Sequence, residues 1–160
     1  MSFEGSLAIN FYFMPDAQVA SDMQLYIWDL EDYRNATALT AQNATEVLTM
    51  QQQSNGSYWG QVTGIAAKEM GDTRYYVAYA KLDDGTYVYS NICGYSPKQY
   101  AMNMLDKSTT SDKQKVLCVA MLNFGAAAQE YFGYKTDDLM NAELTDEQKA
   151  LVIPYDKTLF

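Results

Sequence analysis

The spacing of apolar residues changes once along the chain, close to Gly94. Before this point, apolar side chains alternate with polar or small ones, as over residues 5–14, which is the two-residue period of a β-strand. After it, they recur every three or four residues, which is the period of an α-helix. The sequence therefore predicts a β-rich part over residues 5–94 and a helical part over residues 95–160.

Further strand-like runs precede Gly94, and the clearest is the hairpin 73–93, which turns at Asp83-Asp84-Gly85. Both faces of this hairpin carry aromatic or apolar side chains, so we expect a second sheet on one face and the C-terminal helices on the other. Residues 31–44 are polar and are predicted as a loop or a short weak strand. The remaining predicted strands are residues 23–30, 46–52 and 57–62.

Three helices are predicted in the second part, because Ser96, Ser111 and Thr145 each stand three residues before a Gln, the pattern of a capped helix start. The longest covers residues 111–133 and is apolar on most sides, so we expect it to be the buried hub of the fold. Phe124 lies in the stripe that is predicted to face the core. The residues assigned to that stripe are Val116, Leu117, Ala120, Met121, Phe124, Ala127, Ala128 and Tyr131.

The predicted fold class is mostly β with α. The strand spacing is typical of an immunoglobulin-like β-sandwich of six or seven strands over residues 5–94. A three-helix C-terminal unit over residues 95–160 is expected to pack on the sandwich, so that the two parts form one compact structural unit.

Composition excludes several classes of function. The net charge of −9 disfavours nucleic acids and anionic membranes as partners, and no apolar run is long enough to span a bilayer, so no membrane insertion is expected. The chain has no histidine, which removes Ser-His-Asp and Cys-His catalysis and the commonest zinc ligand. Cys93 and Cys118 lack metal-ligand spacing; we expect two buried free thiols, with one disulfide as the alternative.

Acidic clusters are the remaining candidates for chemistry, and there are three: Asp83-Asp84, Asp137-Asp138 and Asp29-Glu31-Asp32. Calcium would need several such oxygens brought together, and a glycosidase would need one matched pair of carboxylates. None of the clusters matches the EF-hand pattern, and turn or N-cap positions explain the first two. We therefore expect no cofactor, no metal and no enzyme, while calcium and a glycosidase stay open as alternatives.

Aromatic residues suggest a different role, because the chain has 14 tyrosines and two tryptophans. The C–H faces of sugars stack on aromatic rings, while nearby amides and carboxylates bind the hydroxyl groups. Alternation over residues 23–30 places Tyr26 and Trp28 on the side opposite the core. Tyr58 and Trp59 lie on opposite faces of their strand, so one of them can join that surface. The predicted ligand-binding residues are Tyr26, Trp28, Tyr58 and Trp59; the alternative is that these rings are structural.

Two runs carry a resemblance to a known kind of module. They are AKEMGDTRYYVAYAKLDDGTYVYSNICGYSPKQYAMNML over residues 67–105 and LCVAMLNFGAAAQEYFGYKTDDLMNAEL over residues 117–144. The chain resembles, over about residues 5–145, an uncharacterised module of large exported surface proteins from anaerobic Gram-positive gut bacteria. Separately, the hairpin 73–93 is similar to the last hairpin of fibronectin type III and immunoglobulin-like domains.

The resemblance implies an extracellular or cell-surface protein with a β-sandwich, a helical tail and other modules in a longer chain. It lends no catalytic residues. The expected function is a non-catalytic module that binds a glycan or a surface protein. The alternative is a structural spacer or protein-interaction module without a small ligand, and a glycoside-active enzyme is the weakest hypothesis.

Overall fold

The computed structural model describes residues 7–16, 19 and 22–151, and this part of the chain is 33% helix and 30% strand. The fold is therefore mixed rather than mostly β. The strands are β1 (Leu7–Phe13), β2 (Gln24–Trp28), β3 (Glu46–Thr49), β4 (Gln51–Gln52), β5 (Tyr58–Ile65), β6 (Arg74–Lys81), β7 (Tyr87–Tyr89) and β8 (Cys93–Tyr95). The α-helices are α1 (Leu30–Asn35), α2 (Pro97–Asp106), α3 (Asp112–Phe132) and α4 (Asp146–Lys149), and Ala41–Asn43 and Ala67–Glu69 are 3-10 turns.

The chain divides into two compact units. The sheet unit contains the described residues between Leu7 and Ile65 together with residues 72–95, and the helical unit contains residues 66–71 and the described chain from Ser96 onward. Residues 66–71 lie within the predicted β-rich part over residues 5–94, but in the structure they group with the helices.

All strands of the sheet unit pair antiparallel, in two sheets. One sheet has the order β1-β5-β4, and the other has the order β3-β2-β6-β7 with β8 also paired to β6. Side chains of both sheets share one core; the rings of Phe11 on β1 and Tyr76 on β6, for example, lie 4.3 Å apart. The buried residues of this core are Met23, Leu25, Ile27, Met50, Tyr58, Val62, Ile65, Tyr76, Ala78 and Ala80.

The outer face of the five-stranded sheet is partly covered by residues 30–44. The predicted loop is present at residues 36–40, but no weak strand forms there, and α1 and the 3-10 turn Ala41–Asn43 were not predicted. Asp29 caps α1 by accepting a hydrogen bond from the Asp32 backbone N–H, as short polar side chains do at helix starts. Tyr33 on α1 stacks on Tyr75 at 3.7 Å between ring centroids. The Trp28 indole donates to Asn43 Oδ1 at 3.1 Å, and its ring is buried beneath this segment.

The predicted caps of the helical unit are confirmed. The side chains of Ser96, Ser111 and Thr145 each accept a hydrogen bond from the backbone N–H of the Gln three residues later. Gly133 ends α3 with φ 62°, a left-handed conformation that glycine adopts without a steric penalty. The helix that starts after Thr145 is only four residues long.

The stripe of α3 predicted to face the core is wrong. Phe124 is 41% exposed, and Leu117 and Tyr131 of the same stripe are also exposed. The small residues decide the orientation, because a Cβ on Gly125 would lie 2.6 Å from Met70 Cε and 2.8 Å from Met140 Cγ. The absence of a side chain at Gly125 therefore lets both methionines pack against this side of the helix. The buried residues of α3 are Cys118, Val119, Leu122, Gly125, Ala126 and Gln129.

Gln129 holds the segment after α3 in place. Its side chain donates to the Asp138 carbonyl at 3.0 Å and accepts from the Met140 N–H at 2.7 Å, so this buried amide is satisfied by backbone groups. On α2, Lys98 Nζ lies 2.8 Å from Glu143 Oε1 and 3.5 Å from Asp138 Oδ1. These contacts connect α2, α3 and residues 134–144.

Both cysteines are free thiols, but the prediction that both are buried is wrong for Cys93. Cys93 lies in β8 and is exposed, whereas Cys118 is buried in α3.

Candidate functional site

The four predicted ligand-binding residues do not share one surface. Tyr26 and Trp28 point to the outer side of the five-stranded sheet, where Trp28 is only 1% exposed. Tyr58 is buried in the core between the two sheets. Trp59 lies next to it on β5 and therefore points the opposite way, to the outer side of the three-stranded sheet, where it is half-buried. Of the four rings, Trp59 alone remains accessible to a ligand; a role in binding stays a prediction for all four.

Trp59 is the centre of an aromatic–amide face, which we define as Asn10, Tyr12, Gln51, Trp59 and Gln61. Pairing of β1 and β4 with β5 produces this set, because Tyr12 and Gln51 both lie opposite Trp59 and Asn10 lies opposite Gln61. Residues directly opposite each other across antiparallel strands point to the same side, with Cβ atoms about 4.5–5.5 Å apart. Five side chains from three strands therefore present one continuous surface.

The polar groups of this face are held in place beside the ring. Asn10 Oδ1 accepts from the Trp59 indole N–H at 3.3 Å and from Gln61 Nε2 at 3.0 Å. Among the described residues, the Asn10 amide nitrogen and Gln61 Oε1 have no partner, so a donor and an acceptor remain available to a ligand. Tyr12, across from Trp59, is 69% exposed.

The aromatic–amide face carries no charge. The exposed residues of its three strands are Ala8, Asn10, Tyr12, Gln51, Gln52, Gln61, Thr63 and Gly64. Since the chain as a whole has a net charge of −9, an uncharged surface of rings and amides differs clearly from the rest of the protein. Such a surface offers stacking and neutral hydrogen bonds but no attraction for ions.

A second aromatic surface lies on the outer side of the five-stranded sheet. We define the tyrosine cluster as Tyr26, Tyr79, Tyr87 and Tyr89. Tyr79 lies opposite Tyr89 in the β6–β7 pair, and its ring centroid lies 5.3 Å from that of Tyr26, 5.5 Å from that of Tyr87 and 5.1 Å from that of Tyr89. The cluster is therefore centred on Tyr79.

Two members of the cluster, Tyr26 and Tyr79, have a raised pKa. Burial, followed by the neighbouring phenols of Tyr87, Tyr26 and Tyr89, raises the pKa of Tyr79. Burial and then Tyr89 raise the pKa of Tyr26, whose hydroxyl donates to Gln24 Oε1 at 3.1 Å. Tyr87 and Tyr89 are 53% and 63% exposed, so ring edges and hydroxyls of the cluster reach solvent.

Sequence reasoning missed Tyr12, Asn10 and Gln61 as partners of Trp59. A strand can be recognised from its own residues, but its neighbours in the sheet depend on contacts about 50 residues away along the chain. Part of the tyrosine cluster could have been predicted from the sequence, because the Asp83-Asp84-Gly85 turn sets the register that places Tyr79 opposite Tyr89.

Within residues 7–16, 19 and 22–151, no group of three or more acidic or cysteine side chains is placed to hold a metal ion. In the same part of the chain, no helix combines the length and the apolar character needed to cross a bilayer.

Comparison with known proteins finds no family model, no curated protein and no solved structure that matches this chain.

Proposed function

We propose that this protein is a non-catalytic module that binds a neutral saccharide on its aromatic–amide face. The observation that carries the proposal is the arrangement of Trp59 between Tyr12 and Gln51, with the amides of Asn10 and Gln61 in the next row. A pyranose ring has an apolar C–H face that packs on an indole and hydroxyls that both donate and accept hydrogen bonds. The uncharged face suits such a ligand better than it suits an ion.

The hydrogen bonds within the face support binding rather than packing alone. Asn10 Oδ1 accepts two hydrogen bonds, from Trp59 and Gln61, which fixes all three side chains before a ligand arrives. A surface ordered in this way loses less side-chain entropy on binding. Its remaining amide donor and acceptor lie at the edge of the ring, where the equatorial hydroxyls of a stacked sugar would be found.

We also propose that the sheet unit is an immunoglobulin-like sandwich and that the helical unit is a three-helix module of an extracellular or cell-surface protein. The shared core of the two antiparallel sheets supports the sandwich. The capped starts of α2, α3 and α4 support the helical module. The resemblance to modules of exported surface proteins supports the location and the presence of other modules in a longer chain.

A second candidate function is a protein-interaction module without a small ligand. Tyr131 and Phe132 at the end of α3 are exposed, and their rings meet edge to face at 4.9 Å. Leu117 lies on the same helix and is also exposed. Exposed apolar side chains of this kind are common at protein interfaces.

The test is a glycan array followed by calorimetric titration of the best neutral ligand. We expect Trp59→Ala to weaken binding about tenfold or more, the effect of losing one ring stack, and Tyr12→Ala to weaken it less. Tyr131→Ala is the matched control, because it removes an exposed ring of the helical unit and should leave glycan binding unchanged.

The proposal is overturned if no neutral saccharide binds, or if Trp59→Ala binds as well as the unmodified protein while its unfolding curve is unchanged. A protein ligand whose binding is lost in Tyr131→Ala and kept in Trp59→Ala would establish the second candidate instead.

A further inference from the structure

The tyrosine cluster shows solvent a different chemistry from the aromatic–amide face. The ring planes of Tyr26 and Tyr79 differ by 20° and those of Tyr79 and Tyr87 by 13°, so these three rings stack on one another. Stacking uses ring faces within the cluster, and the part of the cluster that reaches solvent is supplied by the exposed residues Tyr87 and Tyr89. The edge of an aromatic ring is its electropositive part, and a phenol hydroxyl is a hydrogen-bond donor.

The one charged strand residue on this side of the sheet is also electropositive. Register places Lys81 opposite Tyr87, and its Nζ lies 5.8 Å from the centroid of that ring. Lys81 is exposed and forms no ion pair with any described residue. The strand residues on this side of the sheet are Gln24, Tyr26, Trp28, Val47, Thr49, Tyr75, Val77, Tyr79, Lys81, Tyr87 and Tyr89.

These groups fit an anionic ligand of low charge. A single ammonium on a chain of net charge −9 cannot hold a polyanion such as a nucleic acid or a phospholipid surface. It can pair with one carboxylate, while hydroxyls and ring edges around it bind neutral hydrogen-bonding groups. A shallow surface that combines one cation with several phenols is suited to a sugar unit that carries one carboxylate.

We propose that the tyrosine cluster and Lys81 form a second binding surface, which takes saccharides that carry a carboxylate. The carboxylate pairs with the Lys81 ammonium, and the sugar hydroxyls bind the phenols of Tyr87 and Tyr89. Uronic acids and sialic acids share this chemistry. The surface lies on the opposite sheet from the aromatic–amide face, so the module would bind two classes of sugar independently.

The test is calorimetric titration of the whole chain with matched acidic and neutral sugars at low and high salt. One pair is trigalacturonic acid and galactotriose, and the other is sialyllactose and lactose, so the two sources of carboxylate are distinguished. We expect the acidic member of at least one pair to bind roughly two- to fivefold more tightly, which is the effect of one exposed charge pair. This advantage should fall as salt rises.

Variants assign the effect to the cluster. Lys81→Gln should remove the preference for the acidic sugar, and Tyr87→Ala should weaken its binding. Lys113→Gln makes the same change of charge at an exposed residue of α3 and should keep the preference. Trp59→Ala should leave acidic binding unchanged, which separates this proposal from the neutral-saccharide site.

Equal binding of acidic and neutral sugars, or an acidic preference that survives Lys81→Gln, would overturn this proposal and leave the neutral-saccharide function standing. Loss of acidic binding in Trp59→Ala, with its fold intact, would also overturn it by showing that only one surface binds.

Discussion

Among the described residues of the sheet unit, Tyr76 carries the one buried side-chain polar atom that lacks a hydrogen-bond partner, its hydroxyl oxygen. Its ring packs between the sheets against Phe11, yet its hydroxyl has no hydrogen-bond partner among the described residues. An unpaired buried hydroxyl costs about 1–3 kcal/mol relative to a paired one. We therefore expect Tyr76→Phe to keep the ring packing and to raise the free energy of unfolding by about 1 kcal/mol in urea denaturation. A loss of stability of that size would show that the hydroxyl is bonded.

The same hydroxyl predicts how stability depends on alkaline pH. Burial, the largest cause, raises the pKa of Tyr76 from 10.0 to about 12. Above pH 10 the unfolded chain loses this proton while the folded protein keeps it, so the stabilising contribution is complete below pH 10 and is lost as pH rises towards 12. We expect Tyr76→Phe to lose less stability than the unmodified protein between pH 9 and pH 12 in denaturant titrations. Parallel pH profiles of the two proteins would contradict the assigned pKa.

The two tryptophans differ in their surroundings and should differ in their effect on stability. Trp28 is buried and bonded to Asn43, so Trp28→Ala should cost about 3–5 kcal/mol, as for other large buried rings. Trp59 is half-buried on a sheet surface, so Trp59→Ala should cost about 1 kcal/mol. Thermal unfolding of both variants measures the difference. Equal losses would mean that Trp59 is a core residue and not part of an accessible face.

At the scale of the element, α3 shows why a helix is easier to predict than its buried side. Its start at Ser111 and its end at Gly133 follow from cap residues that act locally. The side of α3 that is buried does not follow from local residues, because apolar side chains occur on most sides of the helix and more than one stripe could face a core. The choice is made at Gly125, which allows Met70 and Met140 to approach closely.

Gly125→Ala tests that packing. In a helix interior, alanine is more favourable than glycine by about 1 kcal/mol, so at a site with free space the substitution would stabilise the protein. Here the new methyl would lie 2.6 Å from Met70 Cε, 2.8 Å from Met140 Cγ and 3.3 Å from the Ala67 carbonyl oxygen. Overpacking of this kind costs about 1–3 kcal/mol, so we expect a net loss of stability. Glu130→Ala, at an exposed site on the same helix, is the control and should not show this loss.

The strands and residues 30–44 also show that features set by neighbouring residues could be predicted from the sequence, whereas features set by distant residues could not. The hairpin of β6 and β7 follows from alternation and the turn at Asp83-Asp84-Gly85, and it is present as predicted. Residues 30–44 were missed because α1 is only six residues long and its few apolar side chains are too short a pattern to show a period. The partners of Trp59 depend on which strands pair across the sheet, which alternation cannot specify.

At the scale of the whole molecule, two separate stretches of the described residues, 66–71 and the chain from Ser96 to Leu151, belong to the helical unit. Residues 66–71 leave the sheet unit, place Met70 among the buried residues beside Gly125 of α3, and lead back to β6. The boundary expected near residues 94–95 therefore separates the helices from a segment that they pack against.

A fragment of residues 96–160 should consequently not form a stable unit alone. Without Met70, the surface of α3 around Gly125 loses a buried side chain that contributes about 2–5 kcal/mol, a large part of the stability of a small domain. Circular dichroism should show reduced helix content and no cooperative thermal transition. A cooperative transition close to that of the whole chain would contradict the role assigned to residues 66–71.

The central claim is that a neutral saccharide binds at Trp59, and the chain contains its own control for that claim. With only two tryptophans, a ¹⁵N-labelled sample should give two indole N–H resonances, one from buried Trp28 bonded to Asn43 and one from Trp59 bonded to Asn10. Trp59→Phe assigns the pair. On titration with the best neutral oligosaccharide, the Trp59 resonance should shift in proportion to occupancy while that of Trp28 stays in place. A shift of Trp28 alone, or of neither resonance under saturating ligand, would contradict the account.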